Sequence, residues 1–89
     1  MSAPPALVLT LLGKPDCHLC HEMRAVIDRA LAATPVRVVE KDVREDPELR
    51  RRYLNEIPVL LIGEREVARH RLTESELLQR LSEMGWPVG

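Results

Sequence analysis

Hydrophobic and polar positions follow two spacings along this chain, and these spacings predict strands and helices in turn. Residues 6–12 are almost all apolar between a pair of prolines and a glycine, which is typical of a central strand covered on both faces. From His18 onward apolar residues recur every three or four positions, which predicts a helix to about Ala33, before a proline. Residues 36–43 contain four valines among polar residues and form a second predicted strand.

Two further helices are indicated by the residues at their ends. Asp46 followed by a proline is a helix cap with proline in the first turn, and it predicts a short helix to about Leu54. Thr73 and Glu76 have the spacing of a capping box and predict the start of the last helix. Gly85, followed by Trp86-Pro87, is a strong signal for the end of that helix.

A β-hairpin is predicted between these two helices. Val59–Ile62 is entirely apolar, and a turn with glycine first leads back into residues 65–68, whose charges suit an exposed sheet edge. The order of elements is therefore β-α-β-α-β-β-α. A helical crossover makes the first two strands parallel neighbours, and the hairpin adds an antiparallel pair. We expect one α/β domain over residues 1–89, a four-stranded mixed sheet with three helices.

The composition argues against several classes of protein. A net charge of -1 and an aromatic content of 2% provide neither the basic field nor the stacking surface that nucleic-acid binding needs. No stretch approaches the roughly 20 apolar residues that cross a bilayer, and residues 6–12 follow no positive residue of the kind that begins a secretory signal. Two cysteines form at most one disulfide bridge, so the chain is not a small secreted domain held together by several disulfides. We expect a cytoplasmic protein that binds neither nucleic acid nor membrane.

Cys17 and Cys20 lie where the first strand is predicted to lead into the first helix. At a helix N-terminus, unpaired backbone N–H groups and the helix dipole stabilise a thiolate. Lys14, His18 and His21 add to this effect when they are protonated. Asp16 opposes it. Cys20 lies one turn further along the same side and borders the apolar stripe, so it is expected to be the more buried thiol. Cys17 is predicted to attack a disulfide, and Cys20 to resolve the mixed disulfide.

Ile57 and Pro58 precede the apolar third strand, where a proline marks the start of a strand. If the bond between them is cis, the chain turns sharply and leaves the backbone of Ile57 free to pair with an extended substrate. The residues alone favour a trans bond, because only about 5–6% of such bonds are cis in folded proteins.

The segment Lys14-Pro15-Asp16-Cys17-His18-Leu19-Cys20, followed later by Ile57-Pro58-Val59 and a hairpin, resembles the glutaredoxin branch of the thioredoxin superfamily, in particular its small glutaredoxin-like members. The resemblance covers residues 7–84. It implies a thioredoxin-like fold and a thiol-disulfide oxidoreductase that carries electrons without a metal or organic cofactor. It also implies that Cys17 is the nucleophile, that Pro58 is cis and faces the cysteine pair, and that Lys14 lies near a glutathione carboxylate.

The chain departs from that family at two places. His18-Leu19 stands between the cysteines instead of the Pro-Tyr pair typical of dithiol glutaredoxins. After the hairpin, residues 69–73 are Arg-His-Arg-Leu-Thr, where glutaredoxins usually have a Gly-Gly pair and an acid for the glutathione amino group. Half of the implied glutathione site is thus missing. We expect the partner to be a disulfide-containing protein or a small thiol, and Arg69 and Arg71 offer charges that select an acidic one.

Other interpretations of the cysteine pair stay open at this point. The two thiols could be inert core residues. The pattern C-x-x-C-H also matches attachment of c-type haem, although that needs export and usually a mostly helical fold. A non-catalytic binding module with a zinc or iron-sulfur site would take its remaining ligands from a histidine or a second subunit.

We predict that the pKa of the Cys17 thiol lies below that of a free cysteine, which is about 8.5. The physical reason is stabilisation of the thiolate by the helix N-terminus and the neighbouring cations. A titration of thiolate absorbance in the reduced protein measures this pKa directly. An ordinary value would contradict the prediction.

Overall fold

Four strands and three α-helices follow one another in the predicted order within residues 7–86, the part of the chain that the computed structural model describes. The predicted strand start at Ala6 and the helix-ending Pro87 lie outside this part. The elements are β1 (Leu7–Gly13), α1 (His18–Ala30), β2 (Val36–Asp42), α2 (Pro47–Tyr53), β3 (Val59–Ile62), β4 (Arg65–Arg69) and α3 (Glu74–Glu83).

The strands form one mixed sheet in the order β2-β1-β3-β4. β1 pairs with β2 in parallel from Leu7 opposite Val36 to Gly13 opposite Asp42. β3 pairs antiparallel with both β1 and β4, and a register shift, or β-bulge, interrupts the second pairing between Leu60 and Leu61. The predicted parallel pair, the hairpin and the position of the charged strand at the edge are confirmed.

The larger hydrophobic core lies between the sheet and the helices α1 and α3. Alternate residues of β1 point to this side, because successive side chains of a strand lie on opposite faces. The apolar stripe predicted for the first helix and buried leucines of the last helix supply most of the remaining core. The core includes Leu7, Leu9, Leu11, Met23, Ile27, Leu31, Leu60, Leu77 and Leu81, all of them buried.

The other face of the sheet is only partly covered. Leu12 packs there with Val43 and Val59, and Leu49 and Tyr53 of α2 lie against this small cluster. α2 has seven residues, none of them fully buried, and it covers only one end of the sheet. Val8, on the same face toward the other end of β1, remains 42% exposed. The expectation that this strand is covered on both faces is therefore correct only near its carboxyl end.

Side-chain caps account for several boundaries. β2 ends at Asp42 because the Asp42 carboxylate accepts a hydrogen bond of 2.9 Å from the Arg44 backbone N–H and begins a 3-10 turn, Val43–Glu45. The Asp46 cap and the reciprocal capping box of Thr73 with Glu76 are confirmed. α1 ends at Ala30, three residues before the predicted end, where the chain turns before its proline.

None of the helices within residues 7–86 is long and apolar enough to span a membrane.

Two neighbouring positions on β1 test this account of the core. Leu9 is 0% exposed and Val8 is 42% exposed, although the two residues share one strand. Leu9→Ala should lower the free energy of unfolding by about 2–5 kcal/mol, because it removes buried methyl groups and leaves a cavity. Val8→Ala, the matched control, should cost less than about 1 kcal/mol. Urea denaturation of both variants measures the difference, and equal losses would contradict the two-sided description of β1.

Candidate active site

The two cysteines lie at the amino end of α1, where Cys17 is the N-cap residue. They are joined by a disulfide, with a Cα–Cα distance of 5.2 Å. The Sγ atom of Cys17 also accepts a hydrogen bond of 3.1 Å from the backbone N–H of Cys20. This N–H belongs to the first turn of the helix, which has no intrahelical partner for it. The same group is therefore in place to stabilise a thiolate on Cys17 when the disulfide is reduced.

The two sulfur-bearing residues differ in their exposure. Cys20 is 5% exposed and borders the apolar stripe of α1, whereas Cys17 is only half-buried. A visiting disulfide can therefore approach Cys17 more easily than Cys20. This is the order of burial that the sequence predicts, and it agrees with different roles for the two thiols.

Pro58 lies at the same end of the sheet as the cysteine pair. Leu12 pairs with Val59, so continuation of this register brings Pro58 beside Gly13, just before the cysteine motif. The Ile57-Pro58 bond is cis, as the family resemblance implies, and the trans bond that the residues alone favour is wrong. Pro58 is buried, and Ile57 packs against the smaller hydrophobic cluster. That Pro58 faces the sulfur atoms and that Ile57 pairs with a substrate remain predictions.

Lys14 lies at a cleft beside the cysteine motif. The cleft has a volume of about 360 Å³ and is bordered by Lys14, Cys20, His21, Glu40 and Asp42, among others. Hydrogen bonds from the Arg44 guanidinium and backbone lower the pKa of the Asp42 carboxyl group, and Lys14 lowers it further. Lys14 thus has an acidic neighbour on β2 as well as access to open space next to the predicted site.

His18 points away from the core on the first turn of α1. Its side chain is 86% exposed, and its Nε2 atom lies 3.2 Å from a carboxylate oxygen of Glu22, one turn further along the helix. When His18 is protonated, it forms an ion pair with Glu22. His18 stays a predicted site residue, with this carboxylate as its partner within the described chain.

The loop after β4 contains features that the sequence did not indicate. His70 has a φ of 65°, a left-handed conformation that favours glycine. Its backbone N–H donates a 2.8 Å hydrogen bond to the Pro58 carbonyl oxygen, and its Nε2 atom lies 3.0 Å from a carboxylate oxygen of Glu56. His70 is exposed, and these two contacts connect the end of β4 to the segment just before β3.

Arg69 takes part in the same network. The Arg69 guanidinium lies 2.6 Å from a carboxylate oxygen of Glu66 and 3.2 Å from one of Glu56. The hydrogen bond between Arg69 and Glu66 raises the pKa of Arg69 and lowers the pKa of Glu66. Two carboxylates already neutralise this charge. Arg69, whose charge was expected to select an acidic partner, therefore already has acidic neighbours within the chain.

Arg71, in contrast, borders a second cleft. This cleft has a volume of about 300 Å³ and lies between α1 and the loop after β4. Its walls combine apolar side chains of the helix with polar side chains of the loop. They include Leu19, Met23, Val26, His70, Arg71 and Leu72.

A metal site was the main alternative for the cysteine pair. Between Leu7 and Trp86, no group of three or more His, Cys, Asp or Glu residues is arranged to hold a metal ion. A site built on Cys17 and Cys20 would therefore need ligands from outside this part of the chain.

Comparisons with known proteins agree with this geometry. The family model described as Glutaredoxin-like domain (DUF836) matches residues 8–82. No curated protein matches the chain. A structural-genomics target protein from X. campestris is 26% identical with a TM-score of 0.68, and the match covers 89% of this chain and 99% of that one.

Two thioredoxins show the same fold at lower identity. Thioredoxin 1 from the thermophilic eubacterium Thermosipho africanus is 19% identical with a TM-score of 0.61, covering 88% of this chain and 93% of its own. Thioredoxin-2, described as a component of malaria parasite protein secretion machinery, is 15% identical with a TM-score of 0.62, covering 88% and 82%. The predicted thioredoxin-like fold is confirmed.

The left-handed conformation of His70 predicts an unusual order of stability. His70→Gly and His70→Ala both remove the contact with Glu56, but only alanine keeps a Cβ that is unfavourable at this φ. The glycine variant should be the more stable of the two by about 1 kcal/mol. Urea denaturation of both variants measures the difference.

The same two substitutions at His21 provide the control. His21 is exposed within α1, where alanine should be the more stable residue by about 1 kcal/mol because glycine is unfavourable in a helix. If alanine is also the more stable residue at position 70, the proposed strain at His70 is wrong.

Proposed function

We propose, because this chain belongs to the glutaredoxin-like domain family, that Cys17 and Cys20 form the redox centre of a thiol-disulfide oxidoreductase. A thiol redox role follows from the family and from the pair at disulfide distance. One observation supports the finer proposal most directly. The Cys17 sulfur lies at the helix N-cap and accepts the Cys20 N–H, so a negative charge would be stabilised on the more accessible of the two sulfurs.

In the first step, the dithiol form attacks a disulfide of the partner. Cys17 loses its proton to water, and its thiolate attacks one sulfur of the partner disulfide. A new S–S bond forms between Cys17 and the partner as the partner's own S–S bond breaks. The displaced partner thiolate takes a proton from water.

In the second step, Cys20 loses its proton and its sulfur attacks the Sγ atom of Cys17. The mixed disulfide breaks, the Cys17–Cys20 disulfide forms, and the second partner thiolate leaves and is protonated. Two electrons have passed to the partner. The pair is returned to the dithiol form by the reverse exchange with a thiol reductant, which supplies two electrons and two protons and becomes a disulfide.

The neighbouring residues have predicted roles in holding the partner. We infer that an extended segment of the substrate passes Pro58 and pairs with the backbone of Ile57, while Lys14 and His18 contact polar groups beside the reacting disulfide. The location of Pro58 at the cysteine end of the sheet and of Lys14 at the adjoining cleft supports this assignment.

The substrate class is inferred from the loop after β4. An imidazole and two arginines occupy the segment where the glutathione site of glutaredoxins has its glycine pair, and His70 and Arg69 are engaged by Glu56. These side chains favour a disulfide-containing protein or another small thiol over glutathione. We propose that the protein acts in the cytoplasm, where reductants keep such thiols reduced.

Trapping of a mixed disulfide tests the proposed roles. Cys20→Ser removes the resolving sulfur, so after reaction with a disulfide-containing protein it should keep at least about tenfold more covalent adduct than the wild type. Cys17→Ser, the matched control, should hold little adduct because the accessible nucleophile is missing. Mass spectrometry of the non-reduced proteins measures both. Equal trapping by the two variants, or none by Cys20→Ser, would overturn the assignment.

A further inference from the structure

Gly13, the last residue of β1, lies directly against the sulfur of Cys20. A Cβ atom at position 13 would lie 2.7 Å from Cys20 Sγ and 3.1 Å from Cys20 Cβ. Real Cβ atoms essentially never come closer than 3.0 Å to such neighbours. Any other residue at position 13 would therefore require the sulfur, or the strand and helix that carry the two residues, to move.

The backbone does not explain this glycine. Gly13 pairs with Asp42 as a regular member of the parallel β1–β2 ladder. Gly63 and Gly85, in contrast, have φ values of 61° and 88°, and nothing lies within 4 Å of a Cβ added at either position. At Gly13 it is the approach of Cys20, and not a left-handed conformation, that a side chain would disturb.

Cys20 has little freedom to yield to a larger residue. It is 5% exposed and is held on α1, and its Sγ atom is bonded to Cys17. Rotation about χ1 would move the sulfur away from position 13, but it would also move it away from Cys17. In the reduced protein that rotation breaks no covalent bond. A side chain at position 13 therefore opposes the disulfide more than it opposes the dithiol.

We propose that Gly13 is a positioning residue for the redox pair: its missing side chain provides the space in which Cys20 Sγ reaches Cys17. Gly13 thereby favours the disulfide over the dithiol and brings Cys20 into position to resolve the mixed disulfide. Its part in turnover rests on the proposed function. Its effect on the equilibrium between the two forms is a property of the chain itself, whatever the partner.

Redox titration of Gly13→Ala tests this proposal. The variant and the wild type are equilibrated with mixtures of reduced and oxidised dithiothreitol. The reduced form donates two electrons and two protons to the Cys17–Cys20 disulfide and becomes the oxidised form, a cyclic disulfide. The equilibrium constant for reduction of the protein should increase about tenfold in Gly13→Ala, which corresponds to a potential about 30 mV higher. A change of less than about twofold would overturn the proposal.

Gly63→Ala is the matched control. It also replaces a glycine by alanine, but in the turn between β3 and β4, where the added Cβ meets no atom within 4 Å and only the positive φ is unfavourable. It should lower stability without changing the redox equilibrium. An equal shift of the equilibrium in Gly63→Ala would overturn the specific role of Gly13.

A second measurement removes the sulfur itself. In a Cys20→Ala background the destabilisation caused by Gly13→Ala should fall to half or less, because its main steric partner is gone. If Gly13→Ala does not fold, recovery of folding in the double variant supports the contact, and failure of both variants overturns it. A redox shift without adduct trapping by Cys20→Ser would instead retain Gly13 as a positioning residue and remove the proposed enzymatic role.

Discussion

The contact between the end of β1 and the beginning of α1 is the constraint on which the rest of this structure depends. β1 is central in the sheet, and its alternate leucines pack against Met23 and Ile27 of α1 in the larger core. This packing fixes the helix relative to the strand, so the first turn of the helix comes directly over Gly13. Apolar burial along the strand and the helix thus determines where the sulfur atoms lie.

The same contact separates the two thiols by environment. Cys17 remains at the helix end, with a backbone N–H directed at its sulfur, while Cys20 is buried one turn further along. The two thiols are only three residues apart, and yet their environments differ without any additional charged residue. The helix supplies the electrostatic part and the core supplies the burial.

Much of this fold was predictable because its signals are local. The capping box at Thr73, the cap at Asp46 and the apolar Val59–Ile62 each depend on residues a few positions apart, and all three are confirmed. The cysteine motif at a strand–helix junction is a local signal too. The features that sequence reasoning missed join distant segments: the contact of His70 with Glu56, the exposure of Val8 beyond the end of α2, and the fit of Cys20 against Gly13. A histidine in a conformation typical of glycine carries no sequence signal at all.

The β-bulge between β3 and β4 changes the parity of the edge strand. In an uninterrupted strand, residues three apart point to opposite faces of a sheet, so Glu66 and Arg69 could not meet. The register shift places Glu66 opposite Leu61 and Arg69 opposite Val59, two positions that share a face of β3, while Ala68 enters the core. The ion pair that anchors the end of β4 near Glu56 therefore exists only because the strand holds one residue more than its partner. The number of residues in this short segment is constrained as tightly as their identity.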